Sequence, residues 1–335
     1  GERARAPAKE YLLEHGLIHF YKGGSNPKSF RPGLVSLVMP TEKLEAILDR
    51  AMKAQFTVEQ ADGADNELIV LKDKSGQLID YPDSVELDDQ RETLRAMNDI
   101  NLECHWSYHN RKGKEVVLHP WSLILKRHFR EDDFKVYGRI QCGSQNLKKS
   151  SRRKLLINYD ETVELDFQCM MPVLAYAEAG LSESIEAYQL EGDAYELEGY
   201  DRKTVKKAFT IALNTTSYVS ACKALSSGIY VESYQHAARL LDRLMEKHTL
   251  IRQYFFSEAW KELNIHESNI MMKVLAASIG SGVPILPIHD GVVCRVQDRI
   301  RVTQFMQFSF KALYSFIPIV NEVVDTSGKS KRVDW

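Results

Sequence analysis

Two aspartates stand where short strand-like segments end. Asp166 follows the alternation of apolar and polar residues in TVELDF, which predicts a half-buried strand. Asp290 lies between the two apolar runs of PILPIHDGVVCRV, and Asp-Gly between such runs predicts a hairpin. A carboxylate at the end of a strand is held rigidly and still reaches solvent. Each aspartate alone also has a plain structural explanation, since Asp290 could serve the turn only.

A cation-rich segment, DRKTVKKAFTIALNTTSY, lies between these aspartates in the chain. Asp201 is typical of a helix N-cap, and helical spacing then puts four residues on one stripe: Arg202, Lys206, Thr210 and either Leu213 or Asn214. Cations at a helix start oppose the macrodipole, which indicates that something outside the helix requires them. Arg and Lys on consecutive turns could grip a triphosphate. A solvated helix face is the alternative.

A second basic cluster lies in GRIQCGSQNLKKSSRRKLLI, with five cations within seven positions: Lys148, Lys149, Arg152, Arg153 and Lys154. The neighbouring Gly, Ser, Gln and Asn residues offer backbone N–H groups and polar side chains. Such a segment can hold phosphates. A solvated basic loop is the alternative interpretation.

The order of these parts is the one that two-metal nucleotidyl transfer needs. Two carboxylates from different strands can hold two magnesium ions about 3.5–4 Å apart, which activate a 3′-hydroxyl and stabilise the leaving pyrophosphate. A cationic helix can clamp the incoming triphosphate and neutralise the charge that grows in the transition state. The sequence therefore predicts Asp166 and Asp290 as catalytic, metal-binding residues.

Four segments resemble motifs of the family A polymerases, which include bacterial DNA polymerase I and the single-subunit phage-type RNA polymerases. Residues 138–153 resemble the segment that contacts primer and template. Residues 163–180 resemble motif A, 201–218 resemble motif B of the fingers, and 284–296 resemble the His-Asp motif C. Together the motifs span about residues 138–296, roughly half of the chain.

The resemblance implies an α+β fold: a right-hand polymerase palm with an antiparallel sheet and helices, reduced helical fingers and a small N-terminal α/β module. Residues 1–110 are predicted as an accessory or thumb-like module and 111–335 as the palm and fingers core. No segment is typical of an exonuclease domain, so proofreading is not expected. Processivity is expected to be low unless a partner protein clamps the DNA.

The resemblance also assigns roles to single residues. Nucleotide binding falls to Arg202, Lys206, Thr210, Asn214 and Met171. Contacts with nucleic acid fall to Arg139, Gln145, Asn146, Lys148, Lys149, Arg152, Arg153 and His289. The implied cofactor is Mg²⁺ as two ions, with Mn²⁺ as a substitute. The implied partners are a DNA primer-template and nucleoside triphosphates, with RNA and a processivity protein as further candidates.

Three positions depart from the family pattern. DNA polymerases of the family carry a Glu in motif A that blocks a ribose 2′-hydroxyl. This chain has Met171 in that neighbourhood, and the bulk of the Met171 side chain favours deoxynucleotides. In motif B, Asn214 stands where an aromatic residue is usual and Thr210 where a larger one is usual. In motif C, Gly291 follows the Asp in place of the Glu that is frequent in DNA polymerases.

These departures keep other functions open beside a small DNA polymerase. RNA synthesis, priming and template-independent nucleotidyl transfer use the same fold. A degenerate, non-catalytic nucleic-acid-binding protein is a further alternative. The retained Asp pair argues against it, because two desolvated carboxylates that face each other are costly without a metal.

Composition adds the cellular setting. The chain has 335 residues, and its net charge of −2 gives no global signal for nucleic acid. Its five cysteines are scattered and lack CxxC spacing, which fits reduced thiols. No window offers the about 18 apolar residues of a membrane span, and the first residues lack the apolar core of a signal peptide. We therefore expect a cytoplasmic protein without a membrane partner, and the resemblance to family A polymerases implies a role in DNA replication or repair.

The elements that must carry these residues have weaker signals. Residues 41–55 and 88–102 are amphipathic, which predicts two helices, and 267–279 predicts another that ends at Gly280. Residues 67–70 and 77–79 flank a turn and predict a hairpin.

Overall fold

The computed structural model describes residues 10–21, 37–53, 67–110, 112–181, 183–184, 192–228, 230–323 and 330–333. The chain forms two compact units, Gly1–Asn66 and Glu67–Trp335. In the described part of the chain, no helix has both the length and the apolar character needed to cross a membrane.

The smaller unit pairs two short strands, β1 (Ile18–Tyr21) and β2 (Leu37–Pro40), in antiparallel register. Helix α1 (Glu42–Lys53) follows β2 directly. The hydroxyl of Thr41 accepts a hydrogen bond of 3.4 Å from the backbone N–H of Leu44, so Thr41 caps this helix as its sequence predicts.

The larger unit contains the remaining elements. Its strands are β3 (Ile69–Leu71), β4 (Trp106–His109), β5 (Glu115–Val117), β6 (Lys126–Phe129), β7 (Arg139–Gln141), β8 (Leu155–Ile157), β9 (Asp160–Phe167), β10 (Leu286–Ile288), β11 (Gly291–Arg295), β12 (Val320–Val323) and β13 (Ser330–Arg332). Its helices are α2 (Val85–Leu102), α3 (Lys149–Arg152), α4 (Met170–Glu178), α5 (Arg202–Asn214), α6 (Tyr218–Ser226), α7 (Tyr234–Lys247), α8 (Trp260–Ile279) and α9 (Arg299–Tyr314).

An antiparallel sheet with the order β10-β11-β9-β8-β4-β5 forms the centre of this unit. Strand β9 carries β11 along one edge, and β8 and β12 share its other edge. The predicted alternation of β9 is present, since Leu165 and Phe167 are buried and Asp166 between them is half-buried. The α+β class, with an antiparallel sheet and helices, is thus confirmed.

Helices α2, α4 and α9 all pack against α8, which is the longest helix described. Helix α4 is apolar on all sides and its residues from Pro172 to Tyr176 are buried, as expected of a helix inside the core. Helix α8 begins at Trp260, seven residues before the predicted start, because the apolar stripe of its first turns was not distinguished from the preceding segment.

The early part of the larger unit differs from one prediction. Strand β3 pairs in parallel with β6, and the predicted hairpin is reduced to one bridge between Lys72 and Leu78. Residues 67–110 lie in the larger compact unit, where β3 joins β6 and α2 packs against α8. The division into residues 1–110 and 111–335 stays a prediction. An accessory or thumb-like role for the N-terminal region stays a prediction.

Candidate functional site

The pairing of β9 with β11 brings the two predicted aspartates together. Asp166 lies opposite Gly291 in the antiparallel register, and Asp290 immediately precedes Gly291. The backbone N–H of Phe167 donates to the carbonyl of Asp290 at 3.5 Å. Two carboxylates that are 124 positions apart in sequence numbering (290 − 166) therefore occupy neighbouring places at one end of the sheet.

The hairpin that carries Asp290 is tightly constrained. Its loop consists of His289 and Asp290, because Ile288 and Gly291 pair directly. His289 is exposed and adopts a φ of 56°, a region that non-glycine residues rarely occupy. A Cβ atom at Gly291 would lie 2.4 Å from the carbonyl oxygen of Leu165. Only glycine fits there, which gives a steric reason for a glycine directly after Asp290.

Burial and the closeness of two carboxylates set the electrostatics of this sheet end. Burial raises the pKa of Asp166 well above its usual value, and the negative charge of Asp290 raises it further. The ammonium group of Lys206 opposes this shift but does not cancel it. The site thus concentrates negative charge that the protein itself leaves partly unbalanced.

A third carboxylate, Glu267 on α8, lies next to this pair and was not foreseen from the sequence. Its side chain is buried, and burial raises its pKa to about 7, with Arg139 opposing the shift and Asp290 adding to it. Arg139 donates to Oε2 of Glu267 at 2.9 Å and to Asn264 at 2.9 Å. Within the described residues Oε1 of Glu267 has no hydrogen-bond partner. The sequence signal for Glu267 is the presence of a Glu in a mainly apolar helical stretch.

Helix α5 presents its cations as the stripe predicted. The carboxylate of Asp201 accepts hydrogen bonds from the backbone N–H groups of Lys203 and Thr204, so Asp201 is the N-cap. The stripe residues are all exposed: Arg202, Lys206, Thr210 and Asn214. The hydroxyl of Thr210 donates to the carbonyl of Lys206 at 2.9 Å, a bond that helical Thr residues often make.

The segment before β8 divides into fixed and exposed residues. Gln145 donates to the carbonyl oxygens of Ile140 and Pro287, so it ties this segment to β10. Arg152 forms a two-point ion pair with Glu164 of β9 at 2.9 and 3.2 Å. Three of the nucleic-acid contacts predicted in this segment are exposed: Asn146, Lys148 and Lys149.

Arg153 differs from its neighbours. Its three guanidinium nitrogens are shielded from solvent, and no partner for them exists among the described residues. Met171 lies in the first turn of α4, where it is half-buried against the core. Cys169 caps that helix in the left-handed conformation, at φ 52° and ψ 45°, and so turns the chain sharply after Asp166.

One further group of metal-type ligands exists among the described residues, formed by Glu178, Glu262 and His266. Tyr314 donates to Glu178 at 2.5 Å and lies 2.9 Å from Nδ1 of His266. Nδ1 of His266 lies 2.9 Å from Glu178 and its Nε2 lies 3.9 Å from Glu262, and neither Asp166 nor Asp290 belongs to this group.

Comparisons with known proteins give a match at the level of structure only. No protein-family model and no curated protein sequence matches this chain. Among solved structures, 76 chains match. One is the POL domain of Pol1 from M. smegmatis in complex with DNA primer-template and dNTP, at 12% identity and a TM-score of 0.39. That alignment covers 71% of this chain and 51% of the other, so the chain spans about half the length of that domain.

Proposed function

We propose that this protein catalyses template-directed nucleotidyl transfer and acts as a small DNA polymerase without proofreading. The observation that carries the proposal is the register of β9 and β11, which makes neighbours of Asp166 and Asp290. Lys206 of the cationic helix is close enough to shift the pKa of Asp166. The carboxylates can hold the metal that assists the attack, and the cations near them can bind the charged triphosphate.

The donor set fits divalent magnesium, with manganese as a substitute. Asp166 and Asp290 offer only carboxylate oxygens, the ligands that Mg²⁺ prefers, and their mutual repulsion is what a divalent cation would relieve. Bound there, the metal supplies positive charge to the attacking hydroxyl and to the leaving pyrophosphate. A metal needs both carboxylates deprotonated, so protons compete with it for Asp166.

The remaining roles fall to side chains of this chain. Arg202 and Lys206 bind the triphosphate from the exposed face of α5, with Thr210 and Asn214 continuing towards the sugar and base. Lys148, Lys149 and Asn146 contact the nucleic acid, and His289 lies beside the primer end. Arg139, Gln145, Arg152 and Arg153 support that contact, and bonds with Glu267, Pro287 and Glu164 hold the first three.

The half-buried position of Met171 supports deoxynucleotides as substrates. Because its side chain packs against the core, it cannot move aside freely for a ribose 2′-hydroxyl. RNA synthesis, priming and untemplated transfer are the alternatives that the experiment below separates.

The test is primer extension on a labelled primer-template with magnesium, with dNTPs and NTPs in parallel reactions. The variants are Asp166→Asn and Asp290→Asn, and Asp160→Asn at the exposed start of the same strand is the matched control. We expect dNTP ladders that end with the template, a loss of roughly 10³-fold or more in both site variants, and none in the control. Extension by either site variant at the wild-type rate would refute the metal-binding roles.

The other outcomes assign other functions. Ladders with NTPs indicate an RNA polymerase or primase, and products longer than the template indicate terminal transfer. Retained DNA binding without synthesis under any condition indicates a degenerate nucleic-acid-binding protein.

A further inference from the structure

Asp193, on the turn before α5, holds the first cation of the stripe. Its carboxylate accepts a hydrogen bond from Nε of Arg202 and a second one, of 2.9 Å, from the backbone N–H of Tyr195. The Arg202 guanidinium also lies over the ring of Tyr195, 5.2 Å from its centroid. Arg202 is thus fixed by an ion pair on one side and a ring face on the other.

Asp193 bonds to Nε of Arg202 and leaves the two terminal nitrogens of the guanidinium group accessible. Only Nε meets the carboxylate, and the terminal nitrogens have one weak contact within the described residues, from Nη2 to Sγ of Cys169 at 3.6 Å. The side chain of Arg202 is 54% exposed. The two terminal N–H groups can therefore bind a phosphate in two-point geometry while Asp193 keeps its own bond.

The turn that carries Asp193 is itself anchored. Nζ of Lys247, at the end of α7, donates to the carbonyl oxygens of Asp193 at 2.9 Å and Glu196 at 2.6 Å. Nε2 of the buried His248 donates to the carbonyl of Ala194 at 2.9 Å. A carboxylate on such a fixed turn can orient its partner, because the turn itself loses little freedom when a ligand binds.

The ring of Tyr195 serves both cations of the stripe. It is buried, and Nζ of Lys206 lies 5.8 Å from its centroid. Tyr195 therefore lies under both groups that are expected to meet the triphosphate, and Asp193 holds one of them, Arg202.

We propose that Asp193 is a positioning residue for triphosphate binding, which it promotes by holding Arg202 through Nε with the terminal nitrogens directed outward. This inference rests on the proposed function, since it assigns the anion at α5. The negative charge of Asp193 also repels an anion, so its removal has two opposite effects. The positioning effect dominates because the ion pair with Arg202 already offsets that charge and a free Arg side chain must be ordered anew.

The experiment measures binding of inorganic tripolyphosphate to the full chain by titration calorimetry, together with KM and kcat for dNTPs in primer extension. For Asp193→Ala we expect roughly 10-fold weaker tripolyphosphate binding and a similar rise in KM, with kcat changed by less than about 3-fold. Tyr195 and Arg202 donate to different carboxylate oxygens of Asp193, so Asp193→Asn keeps an acceptor for one of the two bonds and should lie between wild type and Asp193→Ala. Glu196→Ala removes the same charge from an exposed side chain of the same turn and is the matched control.

A double-mutant cycle separates positioning from general support of the fold. In an Arg202→Met background, Asp193→Ala should cause no further loss, since the group that it orients is gone. Additive losses, or unchanged or tighter binding in Asp193→Ala, would overturn the proposal, as would a wild-type chain that does not bind tripolyphosphate. If Asp193→Ala does not fold, Asp193→Asn decides by the same criteria. Asp193-dependent binding without any primer extension would support this inference and reject the polymerase function.

Discussion

The sheet end and the exposed face of α5 hold unbalanced charges of opposite sign. At the sheet end, the charge of Asp290 raises the pKa of Asp166 and the pKa of Glu267, and the cations that oppose these shifts are Lys206 and Arg139 respectively. On α5 the cations are Arg202, Lys203, Lys206 and Lys207, and the carboxylate that pairs with this group in the described structure is Asp193.

Two other charged groups of the described structure are paired more fully. Arg152 and Glu164 form a two-point pair with little exposure, and Arg91 contacts three carboxylates: Glu67, Asp83 and Asp88. The contrast supports the proposal that the two regions bind ions from outside the chain, a divalent cation at the sheet end and a phosphate at α5. Functional sites often retain such unfavourable electrostatics at the expense of stability.

Gly291→Ala should damage the sheet end and spare the helix. The new Cβ would meet the Leu165 carbonyl at 2.4 Å, so β9 and β11 must separate where Asp166 lies. We expect a loss of about 3 kcal/mol or more in the free energy of unfolding, measured with denaturant. Gly280→Ala is the control, because its Cβ has only ordinary contacts at 3.7 Å. Equal stability of the two variants would contradict the close approach of the strands.

Glu267→Gln should change how stability depends on pH. The pKa of Glu267 is about 7 in the folded chain and 4.5 as its ordinary value, so between these pH values the folded protein holds a proton that the unfolded chain has released. Stability therefore falls as pH rises through this window, by up to roughly 3 kcal/mol, and Glu267→Gln should remove that part of the fall.

Denaturant unfolding from pH 4.5 to 8 in the presence of a chelator checks this prediction. Glu262→Gln, an exposed carboxylate on the same helix, should retain the wild-type pH slope. A Glu267→Gln slope identical to that of the wild type would mean that the carboxylate is not held protonated by burial.

The sequence predicts those parts of the site that short-range patterns control. The alternation around Leu165 gives β9, Asp201 gives the start of α5, and helical spacing gives its exposed cation stripe. The Asp-Gly pair gives the hairpin at Asp290. In each case the pattern and the physical cause lie within a few residues of each other.

Partners that are distant in sequence could not be predicted. Glu267 meets Arg139 across 128 positions, and β3 pairs with β6 rather than with its neighbour in the chain. Asp193 is only 9 positions from Arg202, but nothing in its neighbours distinguishes it from the acidic residues around it. These contacts depend on how helices and strands pack, which no local spacing encodes.

The smallest expected effect is that of Lys203→Gln. It tests whether an anion is attracted by the total charge of α5 or by the stripe residues alone. Lys203 is exposed at the start of the helix, beside Arg202 but off the stripe, where a cation opposes the macrodipole. Lys203→Gln should therefore stabilise the protein by about 0.3–1 kcal/mol at low salt and by less at 1 M salt, with tripolyphosphate binding changed by less than about 2-fold. Lys311→Gln, in the last turn of α9, should have the opposite sign because a cation is favourable there. If Lys203→Gln weakened tripolyphosphate binding as much as Lys206→Gln does, the anion would be attracted by the total charge of α5 and not by its stripe.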